Sequence, residues 1–141
     1  VPHNIRRHYR KDEDMTDQNK GGLKVFRMLV NGDPETGMQP SEMIDASAFT
    51  TSSQSETNHT FFQTDNGSVI NGVWECAPCV EEIESYPVHE MMTVISGSVT
   101  MTNADGSSDT FISGDTFFIA KGTKCTWEVT EALRKFYLIA E

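Results

Sequence analysis

The chain has 141 residues, a formal net charge of −10, a pI near 4.7 and 37% hydrophobic residues. That is one domain's worth of sequence with enough apolar material for a core, and its acidic balance excludes nucleic acid and anionic membrane surfaces, which both demand a basic face. No apolar run approaches the ~18 residues that span a bilayer, no signal-peptide pattern opens the chain, and three cysteines suit reduced thiols in a cytoplasmic setting.

In chain order, residues 1–22 come first, with Arg6, Arg7, Arg10 and Lys11 and no acid before residue 12. They read as a poorly ordered N-terminal arm ahead of a single domain over 23–141. Residues 23–30 (LKVFRMLV) are expected to form a first strand, on the β-propensity of Val25 and Phe26. Residues 31–58 carry Pro34, Pro40, Gly32 and Gly37 and no Lys or Arg, which reads as a long loop serving as a lid, an arm or a subunit contact. Within it Ser41 is placed to cap one helical turn.

From residue 59 short strands follow at close spacing, over 59–64, 68–76, 88–95, 98–103, 109–113, 116–120, 124–129 and 134–139. Turn residues separate them: Asp65-Asn66-Gly67, Ser96-Gly97, Asp105-Gly106, Ser113-Gly114-Asp115 and Lys121-Gly122. Many short strands with no convincing amphipathic helix predict an antiparallel all-β sandwich or barrel.

The stretches GVWEC, YPVHE, SGSVT, GDTFFIAKGTKCTWEV and RKFYLI, between about residues 68 and 140, resemble the cupin superfamily. More narrowly they resemble small single-domain cupins related to ureidoglycine aminohydrolase. The resemblance implies a jelly-roll barrel with a pocket at its mouth, and the homodimer in which such cupins commonly pair by exchanging an edge strand. It also implies a metal centre of two His and a Glu from a first motif and a His from a second. Here Glu90 matches the Glu, but the two His positions fall near Ile83 or Glu84 and Ser85 or Tyr86, and the last falls on Cys125. A divalent ion normally needs three or four protein ligands. A non-standard set from Glu90, Cys125, Glu84 and His89 is the candidate if a divalent metal is present, and no cofactor is the leading expectation.

The candidate site residues each have two readings. Glu90 shares a strand face with Met92 and Val94. It is either a buried catalytic acid or base or a carboxylate that bonds a neighbour. His89, one residue away, points to the opposite face unless a bulge at Pro87 turns it. Cys125 and Trp127 share a face. They read as a thiol and a flat wall for a ligand or as plain core, and Tyr86 completes that pocket. Cys76-Ala77-Pro78-Cys79 is a C-x-x-C at the end of a strand, where neighbouring carboxylates would raise the thiols. A zinc site built from Cys76, Cys79, Cys125 and His89 is the alternative. Glu81, Glu82 and Glu84 read as a solvated loop or as flanks of the pocket entrance. The functional expectation is a small-molecule-binding cupin whose standard His set is absent, with a metal-dependent hydrolase or isomerase as the alternative.

Overall fold

The computed structural model describes residues 23–141. Eight strands make up the fold: β1 Gln39–Pro40, β2 Glu56–Gln63, β3 Val69–Cys76, β4 Cys79–Ile83, β5 His89–Asn103, β6 Ser108–Ile112, β7 Thr116–Ile119 and β8 Cys125–Ala140. All pairings are antiparallel, in the order β1-β2-β3-β8-β5-β6, with β4 added to β8 and β7 to β5. Among the described residues the only helical piece is a 3-10 turn over Ala46–Ala48.

Two long strands turn this single ladder into a roll. β5 and β8 pair along most of their length, from His89↔Ala140 to Asn103↔Cys125. The first half of β5 carries β7 and its second half carries β6. β8 likewise pairs β4 with its first half and β3 with its second. The bend falls at Val94–Val99, where the register slips. Gly97 lies there at φ +79, and a Cβ on it would stand 1.9 Å from the Ala132 carbonyl oxygen. Only a residue without a side chain brings the two strands that close while taking a positive φ. The jelly-roll expectation is met, with a sheet that bends on itself without closing.

Inward positions recur at every second residue, as a half-buried sheet requires. Glu90, Met92 and Val94 are buried on β5, Cys125, Trp127 and Val129 on β8, and Leu133, Lys135, Tyr137 and Ile139 further along β8. Gly72 on β3 leaves room for the Tyr137 ring, whose hydroxyl oxygen would lie 2.5 Å from an added Cβ.

Three local expectations need correction. Residues 23–30 form no strand: Leu23 and Val25 are exposed and pair with no ladder, because propensity without a partner edge makes no sheet. The capping residue is Asp45, whose carboxylate accepts from Ser47 N–H, and the turn it starts is 3-10. The acidic run after Cys79 is not a solvated loop over 79–83 but strand β4, with Cys79, Glu81 and Ile83 inward and Val80 and Glu82 outward. The stretch 31–58 is fastened to the core by Glu56. Its buried carboxylate accepts from the Ser41 hydroxyl, Met43 N–H at 3.0 Å, Ile44 N–H at 2.7 Å and the Trp74 indole at 3.1 Å. Residues 1–22, read as a basic arm, lie outside the described residues.

Candidate functional site

Deep in the roll, Glu90 on β5 faces Lys135 on β8. Lys135 Nζ donates to Glu90 Oε2 at 2.7 Å, Tyr86 Oη donates to Oε1 at 2.7 Å, and all three residues are fully buried. The ammonium also stands 4.9 Å from the Trp74 ring centroid and 4.8 Å from that of Trp127. A desolvated cation over aromatic faces gains roughly 2 kcal/mol per good contact. Burial pushes the Glu90 carboxyl up, but the Lys135 charge and the hydrogen bonds from Lys135 and Tyr86 act together against it, and Glu90 lies below its ordinary range. Burial lowers Lys135, and Glu90 opposes that shift. Burial, then the Glu90 charge, drives the Tyr86 phenol well above its usual value.

Sequence reasoning singled out Glu90 and Tyr86 but missed Lys135. Its signal was present: Leu133, Lys135, Tyr137 and Ile139 alternate, so a lysine falls on an otherwise apolar inward face.

The implied metal centre does not fit these residues. Both Glu90 oxygens are engaged, one by a cation, and an ion brought to this carboxylate would meet the ammonium. His89 points outward, with Nδ1 accepting from Lys121 N–H at 3.0 Å and its ring stacked at 6.2 Å on Phe118. Glu84 is exposed at the rim, 3.4 Å from Lys124. Among the described residues no three His, Cys, Asp or Glu side chains converge as a metal-holding group. The structure therefore does not bring Glu90, Cys125, Glu84 and His89 together, nor the alternative set of Cys76, Cys79, Cys125 and His89.

Cys76 and Cys79 are buried with their sulfurs 3.9 Å apart. Their mutual hydrogen bond raises Cys76, helped by burial, and lowers Cys79.

Cys125, buried itself, borders two hollows. β6 and β7 hang from the same edge of β5 on opposite sides of its bend, and the gap between them is a concavity of about 450 Å³. Phe111 and Phe117, stacked at 4.1 Å, form its apolar wall, and Met101 and Cys125 also line it. Asn103, Asp109 and Thr123 supply polar groups. A second, more polar hollow of about 300 Å³ shares Asn103 and Cys125 and runs towards Glu84 and Lys124. Burial raises the Cys125 thiol, so this cysteine is a neutral wall rather than an activated nucleophile. Trp127 lies one inward position further along β8, fully buried. The concavity itself escaped sequence reasoning, because Phe111 and Phe117 lie on different strands and meet only through β5.

The sequence profile of the EutQ-like cupin domain matches residues 64–137. No curated protein matches the chain. Among solved structures, a protein of unknown function of the DUF861 family from Pseudomonas syringae is 32% identical over 77% of this chain, with a TM-score of 0.63. This chain spans 46% of that protein's length. The EutQ protein of Clostridium difficile is 22% identical, with a TM-score of 0.56, and the match covers 72% of this chain and 79% of that one. A putative ethanolamine utilization protein Q from Salmonella typhimurium is 17% identical over 86% of this chain and 88% of its own, at a TM-score of 0.55. These last two similarities show the fold alone.

Proposed function

The chain belongs to the family of EutQ-like cupin domains, and we propose that within it the chain is a small-molecule-binding cupin whose ligand sits in the concavity between β6 and β7. One observation carries this reading: a hollow of about 450 Å³ on the cupin frame, with a stacked phenylalanine pair on one side and Asn103, Asp109 and Thr123 on another. That size and mixture, mostly apolar with a few placed polar groups, is what a small-molecule site needs. A compound with one flat ring and one or two polar substituents matches it. The buried Glu90–Lys135–Tyr86 cluster supports the frame behind the site. The resemblance to ureidoglycine aminohydrolase-like cupins carries over as scaffold, and no hydrolytic step follows from it, because the donor set fits no metal.

The same reading makes the protein a cytoplasmic homodimer. Exposed Leu23, Val25 and Phe26 offer apolar surface to a second copy. So does the outward row Phe118, Met91 and Leu138, placed side by side by the register of β7, β5 and β8.

Ligand-observed NMR with benzyl alcohol tests the site. Saturation transfer from the wild-type protein that is lost in Phe111→Ala is the expected result. Equal transfer in the two proteins, or none in either, would overturn the assignment.

A further inference from the structure

Behind the concavity lies an unmatched pair of polar groups. Glu81 points inward from β4, and its Cα partner across the ladder is Trp127 of β8. Glu81 is 8% exposed and Trp127 is 0% exposed. Neither Glu81 carboxylate oxygen has a hydrogen-bond partner among the described residues, and neither has the Trp127 indole nitrogen. Directly paired residues hold their Cβ atoms about 5 Å apart, so two buried orphan acceptors and one buried orphan donor are carried by side chains that leave the sheet from adjacent positions. Orphaned buried polar groups are rare in folded proteins because each forfeits its hydration without return.

This pair is one layer from open space. Ile83 and Cys125 are the next paired positions towards the mouth, and Cys125 lines both hollows. On the other side of Trp127 its partner is Met101, which lines the larger concavity. Met101 is unbranched with three rotatable side-chain bonds, so it can move aside without a backbone change.

We infer that Glu81 and Trp127 anchor the polar end of the ligand, and that this end is a primary amide. Such a group offers N–H donors to the carboxylate and, on the adjacent atom, a carbonyl oxygen to the indole N–H. The complementarity is specific. An alcohol has one donor for the two carboxylate oxygens and must meet the indole with the same atom, a carboxylate is repelled by Glu81, and a tertiary amide brings an acceptor without a donor. Desolvation, with Glu56 and Asp45 adding to it, raises the Glu81 carboxyl to about 7, as expected of a carboxylate waiting for a donor. This inference rests on the concavity as the ligand site and adds the chemical class that the site selects.

The test compares benzamide with N,N-dimethylbenzamide, using benzyl alcohol as the reference for binding in the concavity, by ligand-observed NMR titration of the full chain. Benzamide is expected to bind at least tenfold more tightly than its dimethyl analogue. Glu81→Gln and Trp127→Phe are each expected to erase most of that difference while keeping benzyl alcohol binding and the thermal midpoint within a few degrees. Trp127→Phe keeps an aromatic ring and removes the donor, and Glu81→Gln keeps the shape, so a folding defect in one leaves the other to decide. Equal binding of the two amides in the wild type, with benzyl alcohol still bound, would overturn the amide anchor and leave the concavity standing. A benzamide preference unchanged in both variants would place the anchor elsewhere and overturn it too. Binding of none of the three compounds would remove both readings.

Discussion

At the scale of single residues, two buried carboxylates on the strands that flank β8 have opposite fates. Glu90 is matched by Lys135 and Tyr86. Lys135→Met leaves that carboxylate buried against one phenol, and removing one partner of a buried pair costs about 3–5 kcal/mol. The double variant Glu90→Leu/Lys135→Met should recover most of that loss, since two apolar groups of similar size need no partners. Urea denaturation of the three proteins reads this out, and a double variant no more stable than Lys135→Met would refute it. Glu81 has no such match. Its folded pKa of about 7 lies above the unfolded value near 4.5, so the folded state holds the extra proton between those limits. Stability contributed by this residue is therefore full below about pH 4.5 and declines as pH rises to about 7, by about 3 kcal/mol in all. Glu81→Gln should flatten that decline in denaturation curves at pH 5 and pH 8. Glu81→Leu should raise stability at pH 8 by about 1–3 kcal/mol, because a desolvated carboxylate gives way to core. The candidacy of Glu90 was legible from its place in a strand of Met, Val and Thr. That its partner is Lys135 was not, because the two are 45 residues apart and meet only through pairing.

At the scale of elements, the decisive feature is the bend shared by β5 and β8. Turn residues mark Ser96-Gly97 in the sequence, and they read as a break between two strands. The structure instead keeps one strand and slips its register, because β8 runs alongside on both sides of the bend and holds the ladder together. Gly97→Ala should cost about 3 kcal/mol or more, through a strained positive φ and collision with the Ala132 carbonyl. A thermal midpoint within two degrees of wild type would refute that reading. β4 shows the converse error. Three acids in six residues suggest solvent, yet alternation places only Glu81 inward and leaves Glu82 and Glu84 in water. A period-two count over Cys79–Ile83 would have exposed it, had charge not been weighted above pattern.

At the scale of the whole molecule, Leu23, Val25, Phe26 and Val30 of segment 23–30 and the outer row Phe118, Met91 and Leu138 leave large apolar side chains exposed. Sedimentation equilibrium is expected to show a dimer, and a chain beginning at Asn31 is expected to dissociate at least tenfold more readily. A monomeric full chain would remove the homodimer reading, and an unchanged dimer in the shortened chain would shift the interface to the outer row. The concavity also belongs to this scale, since β6 and β7 frame it only because β5 bends.

Alternation of apolar residues, glycine-marked turns and the cupin-like stretches between about residues 68 and 140 determined the fold class from sequence alone, because those signals are local and recur with the period of a strand. Tertiary structure alone decided which polar side chains find partners. Pairing across β4, β8 and β5 gave Glu90 a lysine and Glu81 only another orphan. Burial then turned that difference in neighbours into a difference in chemistry, since a charge removed from water depends entirely on what faces it.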